Sequence, residues 1–347
     1  MYSKEEMVVL SIIYSEYIDG IFPKPKVDLN LLFQVFKISI VKNKSIFNFD
    51  NIQDLVCYVT KNILNKGNYE KRVAQFIEYF KNLDYEKMLE KAKVEIENSK
   101  KYKIEIITYF DFRYPNCLKT IKLSPFVIYV KGKFPINFDN SLAIIGARKV
   151  DNIGKKLAFE FGKFLSLNNW YNISGLAIGC DTYGHIGSIN KTGAILAQGL
   201  TTEIFPKENI NLADKILENG GFLLSELPLN TSCKQHFFIL RDRLQAALTR
   251  GVIVIETGEN SGTLHTVKFA LKENRKVFVL DINGEENEFI IGNIKLLNKN
   301  LKMNGNVKIS KKDREKIIGI KNPIELKKYL SNSDKFDEKI LIQERLF

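Results

Sequence analysis

The stretch SLAIIGARKVDNIGKKLAFEFGKFLSLNNWYNISGLAIGC, residues 141–180, sets a pattern that repeats to residue 281. A short apolar run at 142–145 leads into a small polar turn. A segment follows whose apolar residues Leu157, Phe161, Phe164 and Leu165 recur at helical spacing, and then a second apolar run at 171–173. Runs of the same kind lie at 194–197, 222–224, 252–255 and 277–280. Each is continuous and largely β-branched or aliphatic, as in a strand covered on both faces. Strands alternating with helices predict an α/β fold with a parallel, doubly wound sheet.

The residues after each run carry the chemistry. The first run delivers Gly146, Ala147 and Arg148, and the second Ser174, Gly175 and Leu176. Later runs deliver Ser225 and Glu226, then Glu256 and Thr257, with Ser261, Gly262 and Thr263 just beyond. In open α/β sheets ligands bind outside the carboxyl ends of the strands. Helix N-termini there offer free N–H groups and a dipole that favours phosphate. Arg148 adds a fixed positive charge, so the spacing predicts a phosphate- or nucleotide-binding edge.

Outward from this core, 347 residues with 45% hydrophobic content provide for two or three domains and a large core. No apolar run is long enough to span a bilayer. The start, MYSKEEMVVL, lacks signal-peptide architecture, so a cytoplasmic protein with no membrane association is expected. Cys57, Cys117, Cys180 and Cys233 are scattered without CxxC spacing, which predicts neither a disulfide framework nor a metal site. The net charge is +12, of which residues 1–100 carry +1, 101–285 carry +6 and 286–347 carry +5. A basic excess favours a polyanionic partner. The abundance of Lys, Asn and Ile also fits an A+T-rich genome, so charge alone is a modest pointer.

Residues 1–100 read as a helical N-terminal domain. Val8, Leu10, Ile13 and Tyr17 share a face, as do Val73, Phe76, Ile77 and Phe80. Asn65-Lys66-Gly67-Asn68 reads as a break between helices. There is no helix-hairpin-helix glycine signature. Residues 101–140 read as an extended β segment, with strands at 104–108 and 126–131 around the bends Tyr114-Pro115 and Ser124-Pro125.

Motifs in order then identify a resemblance. Tyr114-Pro115, Leu118, Ser124-Pro125 and Tyr129-Val130-Lys131-Gly132 lead into Ile144-Ile145-Gly146-Ala147-Arg148. Next come Ser174-Gly175-Leu176-Ala177-Ile178-Gly179-Cys180-Asp181 with His185, and Phe205-Pro206-Lys207-Glu208-Asn209 with Leu212. Leu224-Ser225-Glu226-Leu227-Pro228, Phe238 through Arg241-Asp242-Arg243, and Ser261-Gly262-Thr263 with Thr266 and Ala270 complete the series. Over residues 102–297 the chain resembles the DNA-processing protein A (DprA/Smf) family. The resemblance implies a Rossmann-like domain over 101–297, with its core at 141–281. It also implies binding of single-stranded DNA, loading of a RecA-type recombinase onto it in natural transformation, a homodimer, and no catalytic turnover. No cofactor is expected.

The candidate DNA- and phosphate-binding residues are Gly146, Arg148, Ser174, Gly175, Lys207, Arg241, Arg243, Ser261, Gly262 and Thr263. Arg148 reads as a phosphate contact, with a surface salt bridge as the alternative. Lys207 lies in a polar loop, as a phosphate contact or a solvated lysine. Arg241 and Arg243 stand on alternate positions near a helix start, where one reaches DNA while the other pairs with Glu226 or Glu256. Ser174, Gly175, Gly262 and Thr263 read as backbone devices: glycine permits close approach to phosphate, and hydroxyls cap helices. Asp181 reads as an N-cap or loop brace. His185 and His265 read as packed histidines, and His236 has no acidic neighbour in sequence.

The chain departs from the family pattern at Arg241-Asp242-Arg243, where the family has RNR, and at Gly146-Ala147-Arg148, where it has GSR. Residues 298–347 read as a Lys-rich extension with one amphipathic segment at 324–330, unlike a winged helix. Two alternative functions therefore stand beside the DNA-binding mediator. One is a nucleotide sensor or antitoxin-type regulator in a phage-defence locus. The other is a nucleotide N-glycosidic hydrolase of the wider superfamily using Glu226 or Glu256, although the glutamate expected after the Ser261-Gly262-Thr263 turn is absent. There is no P-loop and no GxGxxG fingerprint, which speaks against an ATP motor and NAD chemistry.

Overall fold

The structure, a computed structural model, describes residues 2–19, 28–62, 70–281, 288–303 and 305–330. The Asn65–Asn68 break lies outside the described residues.

Five helices come first: α1 (Lys4–Ile18), α2 (Leu29–Lys42), α3 (Phe49–Asn62), α4 (Glu70–Lys81) and α5 (Tyr85–Lys101). Strand β1 (Glu105–Thr108), helix α6 (Asn116–Thr120) and strand β2 (Val127–Gly132) follow. The alternating core runs β3 (Ser141–Ile145), α7 (Asn152–Leu167), β4 (Tyr171–Ser174), α8 (Cys180–Gly187), β5 (Thr192–Ile195), α9 (Ile210–Glu218) and β6 (Phe222–Ser225). It continues through α10 (Gln235–Leu248), β7 (Gly251–Val254), α11 (Thr263–Lys272) and β8 (Lys276–Leu280). Last come α12 (Ile291–Leu297), α13 (Lys311–Arg314), β9 (Ile317–Ile320) and α14 (Pro323–Leu330).

Local chemistry sets several boundaries. Ser3 and Glu6 close a capping box at the start of α1. Asp151 caps α7 by accepting from the N–H groups of Ile153 (2.7 Å) and Gly154 (2.8 Å). Strand β5 begins two residues before the apolar run at 194–197, because its ladder starts at Thr192 opposite Asn172. Hydrophobicity marks burial, whereas the ladder is marked by pairing, so Leu196 and Ala197 are buried beyond the strand.

Among the described residues the sheet has nine strands in the order β1-β2-β6-β5-β4-β3-β7-β8-β9. From β6 to β9 all neighbours run parallel, and β2 joins β6 antiparallel. This is the expected α/β, doubly wound, Rossmann-like sheet with a helical N-terminal region. The chain moves outward from β3 through β4 and β5 to β6, then returns to lay β7 on the other side of β3. The switch point is therefore between β3 and β7, where ligand crevices open in such sheets.

Two terminal segments pack onto the sheet layer. The N-terminal helices do not enclose a separate core. One apolar cluster runs from Leu10, Tyr14, Phe36 and Phe76 into Phe126, Tyr129, Leu196 and Leu223 of the sheet layer. The Lys-rich stretch after residue 298 is not simply an extension either. Strand β9 pairs in parallel with β8 from Val277↔Ile317 to Leu280↔Ile320, and Leu326 of α14 is fully buried. Four residues with mixed exposure give too weak a pattern to stand out among lysines. No described helix is long and apolar enough to cross a membrane, and no group of three His, Cys, Asp or Glu among the described residues could hold a metal ion.

Candidate nucleic-acid interface

Arg148 leaves the end of β3 into solvent. Its side chain is exposed, no described carboxylate forms an ion pair with it, and its guanidinium lies 5.1 Å from the Phe238 ring centroid. Phe238 meets Phe205 with centroids 5.7 Å apart, and Phe205 is 44% exposed. A cation over one ring, with a second accessible ring beside it, suits a phosphate next to a stacked base. Composition did not single out these two rings. The signal was their place within the two motifs already quoted, beside Lys207 and Arg241.

The turn that carries Arg148 is wedged from below. A Cβ on Gly146 would lie 2.3 Å from Cys180 Sγ, so only glycine lets the turn sit there. Gly179 has φ +85°, and a Cβ on it would lie 2.3 Å from the Ala147 carbonyl oxygen. The Ala147 N–H donates to the Glu256 carbonyl (2.7 Å), and the Cys180 N–H donates to the Ala147 carbonyl (3.3 Å). Arg148 therefore projects from a backbone fixed on both sides.

Lys207 opens a short 3-10 turn, Lys207–Asn209, and pairs with Glu203 at 3.3 Å. Both side chains are more than 60% exposed, so the pair is weakly held and open to exchange for a phosphate. Asn209 is buried and pins this loop by donating to the Leu176 carbonyl (2.8 Å) and accepting from Thr182 Oγ1 (3.2 Å).

The other expected contacts are placed differently. Ser174 and Gly175 are buried rather than lining a mouth. Ser174 Oγ donates to the Ile144 carbonyl (2.7 Å), and the Gly175 N–H donates to Asp181 Oδ2 (2.9 Å). Asp181 also accepts from the Ala177 N–H (3.4 Å), which makes it the loop brace that its position suggested. Gly175 is glycine because Arg241 packs on it: a Cβ there would lie 1.5 Å from Arg241 Nη1.

Arg241 and Arg243 lie midway along α10, not at its start, and each is 6% exposed. Arg241 donates to the Ile195 carbonyl (3.0 Å) and faces Asp242 (3.4 Å). Arg243 donates to Glu226 (2.5 Å) and to the Tyr14 hydroxyl (3.0 Å). Arg243 thus pairs internally with Glu226, and both arginines are buried. Alternate positions on a helix point to different sides, and here both sides are covered, one by the sheet and one by α1.

Ser261, Gly262 and Thr263 open α11. Ser261 Oγ donates to Thr263 Oγ1 (2.9 Å) and accepts from the Thr263 N–H (3.3 Å). A Cβ on Gly262 would meet nothing within 4 Å, so the space above this helix start is open to a ligand. The start of α7 is closed instead. Glu256 is fully buried there, accepts from the Asp151 N–H (3.3 Å), and would lie 2.3 Å from a Cβ on Gly154. Burial, with Asp151 nearby, pushes Glu256 up to about 7. A carboxylate of the chain itself thus fills the position where a dinucleotide phosphate sits in other doubly wound folds.

His185 is fully buried, its Nδ1 2.7 Å from Thr192 Oγ1, and burial lowers it to about 3, so it stays neutral. His265 is half-buried and lowered by burial and by Lys268. His236 is exposed, against Phe237 (4.3 Å).

Asp242 is buried beneath the interface, and burial pushes it up to about 7 against the pull of Arg241. Its folded value lies above the unfolded one, so folding takes up a proton. Its cost is absent below about pH 4 and complete above about pH 7. Asp242→Asn is therefore expected to raise stability more at pH 8 than at pH 5, with Asp181 left to balance Arg241. Urea melts of both proteins at the two pH values check this, and equal gains would show that Asp242 stays ionised throughout.

Comparisons with known proteins agree with this architecture. A family model described as DNA recombination-mediator protein A matches residues 105–321. Protein Smf of Borreliella burgdorferi is 33% identical over 196 residues, covering 56% of this chain and 58% of that protein. The DNA processing protein DprA of Bacillus subtilis is 34% identical over 172 residues, covering 48% and 57%. The chain spans little more than half the length of these curated relatives. The X-ray structure of DprA from Streptococcus pneumoniae superposes with a TM-score of 0.68 at 22% identity, covering 94% of this chain and 98% of that one. A Helicobacter pylori DprA structure, described as showing a single-stranded DNA binding mode, superposes with a TM-score of 0.55 at 24% identity, covering 65% and 95%. At these identities the structural likeness is one of fold.

Proposed function

This chain belongs to the DNA recombination-mediator protein A family, and from that premise we propose that it binds single-stranded DNA along the carboxyl edge of its sheet. In this reading it acts as a cytoplasmic homodimer that protects the strand and passes it to a RecA-type recombinase, as in DNA uptake and recombination. The observation that carries the proposal is Arg148: exposed, without a described ion-pair partner, and held over Phe238, which meets Phe205, at the strand ends. A flexible strand offers phosphates to the guanidinium and bases to the rings, which a duplex with stacked bases does not.

The role needs no turnover. Of the two carboxylates considered for a hydrolase, Glu226 pairs with Arg243 and Glu256 accepts from the Asp151 N–H at the start of α7. Both are buried.

Fluorescence anisotropy with a labelled thymidine oligonucleotide tests the reading. Binding is expected at low salt and falls linearly in log–log form as salt rises, because neutralised phosphates release counterions. Absence of binding at low salt overturns it.

A further inference from the structure

On the far side of the switch point, the described residues line an open cleft of about 630 Å3 between the carboxyl end of β8, α12 and the start of α13. That volume is typical of a small-molecule site. Its floor is apolar, from Leu280, Ile290 and Ile294. Its rim carries Asp281, Lys299 and Lys311, all exposed, and neither lysine pairs with a described carboxylate.

The cleft is braced from beneath. Arg314 is 6% exposed and donates through Nη1 to the carbonyls of Lys295 (2.6 Å), Asn298 (3.0 Å) and Leu301 (3.0 Å). Its Nη2 donates to the Lys299 carbonyl (3.2 Å). One guanidinium thus gathers the carbonyls at the end of α12, where the helix dipole favours a cation, and fixes the turn that presents Lys299. Buried Asn293 braces the other wall, donating to the Ile255 (2.7 Å) and Leu280 (2.9 Å) carbonyls and accepting from the Thr257 N–H (2.8 Å).

We propose that this cleft is a second nucleotide site, which takes one nucleoside monophosphate, either free or as an unstacked residue of a bound strand. The apolar floor suits a base, the two lysines a phosphate, and Asp281 the amino or hydroxyl donors of base and sugar. An inorganic anion would leave the apolar floor unused, and an apolar ligand would leave three charges unused. The cleft continues the edge that begins at Arg148. Lys149 pairs with Glu288 (2.9 Å) and lies 5.4 Å from the Phe289 ring centroid, immediately before Ile290. The proposal stands independently of DNA binding at Arg148.

The test is isoleucine-methyl NMR of the full chain titrated with 5′-dAMP, with and without a saturating thymidine oligonucleotide. The Ile290 and Ile294 methyls are expected to shift saturably, with a dissociation constant on the order of 0.1–1 mM. The double variant Lys299→Ala with Lys311→Ala is expected to weaken this at least about tenfold. Both lysines are exposed, so the fold is retained, and Arg148→Ala is expected to leave the shifts unchanged. Displacement of dAMP by the oligonucleotide would identify a residue of the strand as the occupant. Simultaneous binding would identify a free nucleotide. The absence of saturable methyl shifts overturns the proposal, as does equal affinity in the double variant or loss in Arg148→Ala alone.

Discussion

Glu226→Ala is expected to destabilise the protein by about 3–5 kcal/mol. Glu226 is 4% exposed and is the carboxylate opposite Arg243, which is itself 6% exposed. Removing it strands a guanidinium in the interior with the Tyr14 hydroxyl as its remaining described partner, while Arg243 Nε and Nη1 already lack one. Breaking one side of a buried pair costs more than the pair itself contributes, since the orphaned charge cannot reach water. Glu226→Gln keeps an acceptor and should lose less. Replacing both members together, Glu226→Leu with Arg243→Met, should recover much of the loss. Urea denaturation of the three variants measures the ordering. A loss below about 1 kcal/mol in Glu226→Ala would mean that water reaches the pair. Because Tyr14 lies on α1, the pair also ties the N-terminal helices to the sheet, and their packing should loosen in the same variant.

Arg148→Ala is expected to weaken binding of single-stranded DNA by about tenfold to a hundredfold, or roughly 1–3 kcal/mol, without a change in stability. The side chain is exposed and its described contact is the Phe238 face, so its loss removes a charge and leaves no cavity. The slope of log affinity against log salt should fall by about 0.7, as for one phosphate contact on a single strand. Arg148→Lys should recover only part of the affinity, because an ammonium stacks poorly on a ring. Phe238→Ala should weaken binding with little change in salt slope, since stacking rather than charge is lost. Anisotropy titrations at several salt concentrations separate these effects. An unchanged affinity in Arg148→Ala would move the DNA away from the strand ends.

Much of this architecture was legible in the sequence. Short apolar runs at 142–145, 171–173, 222–224, 252–255 and 277–280 all became strands of the parallel sheet, because a strand covered on both faces has no polar positions to hide. Arg148 could be placed at a turn because it follows the apolar run at 142–145 by three residues. Asp181 read as an N-cap or loop brace, and it braces the loop through the Gly175 and Ala177 N–H groups.

Other features depended on residues far apart in the chain. The burial of Arg241 and Arg243 depends on Glu226, Ile195 and Tyr14, the last of these 229 positions away from Arg243. Ser174 and Gly175 looked like phosphate ligands, yet they serve Ile144, Asp181 and Arg241. Helix starts at this edge in general offer free N–H groups, but Glu256, just past the end of β7, closes the start of α7. Local pattern by itself thus determined the strands, the helices, their alternation and the edge at which polar residues collect, since these depend on burial repeated over a few residues. Tertiary structure decided which cations stay in water, which are neutralised inside and where the N-terminal helices and β9 attach. Charge burial and strand pairing are settled by partners brought together only when the sheet closes around its switch point.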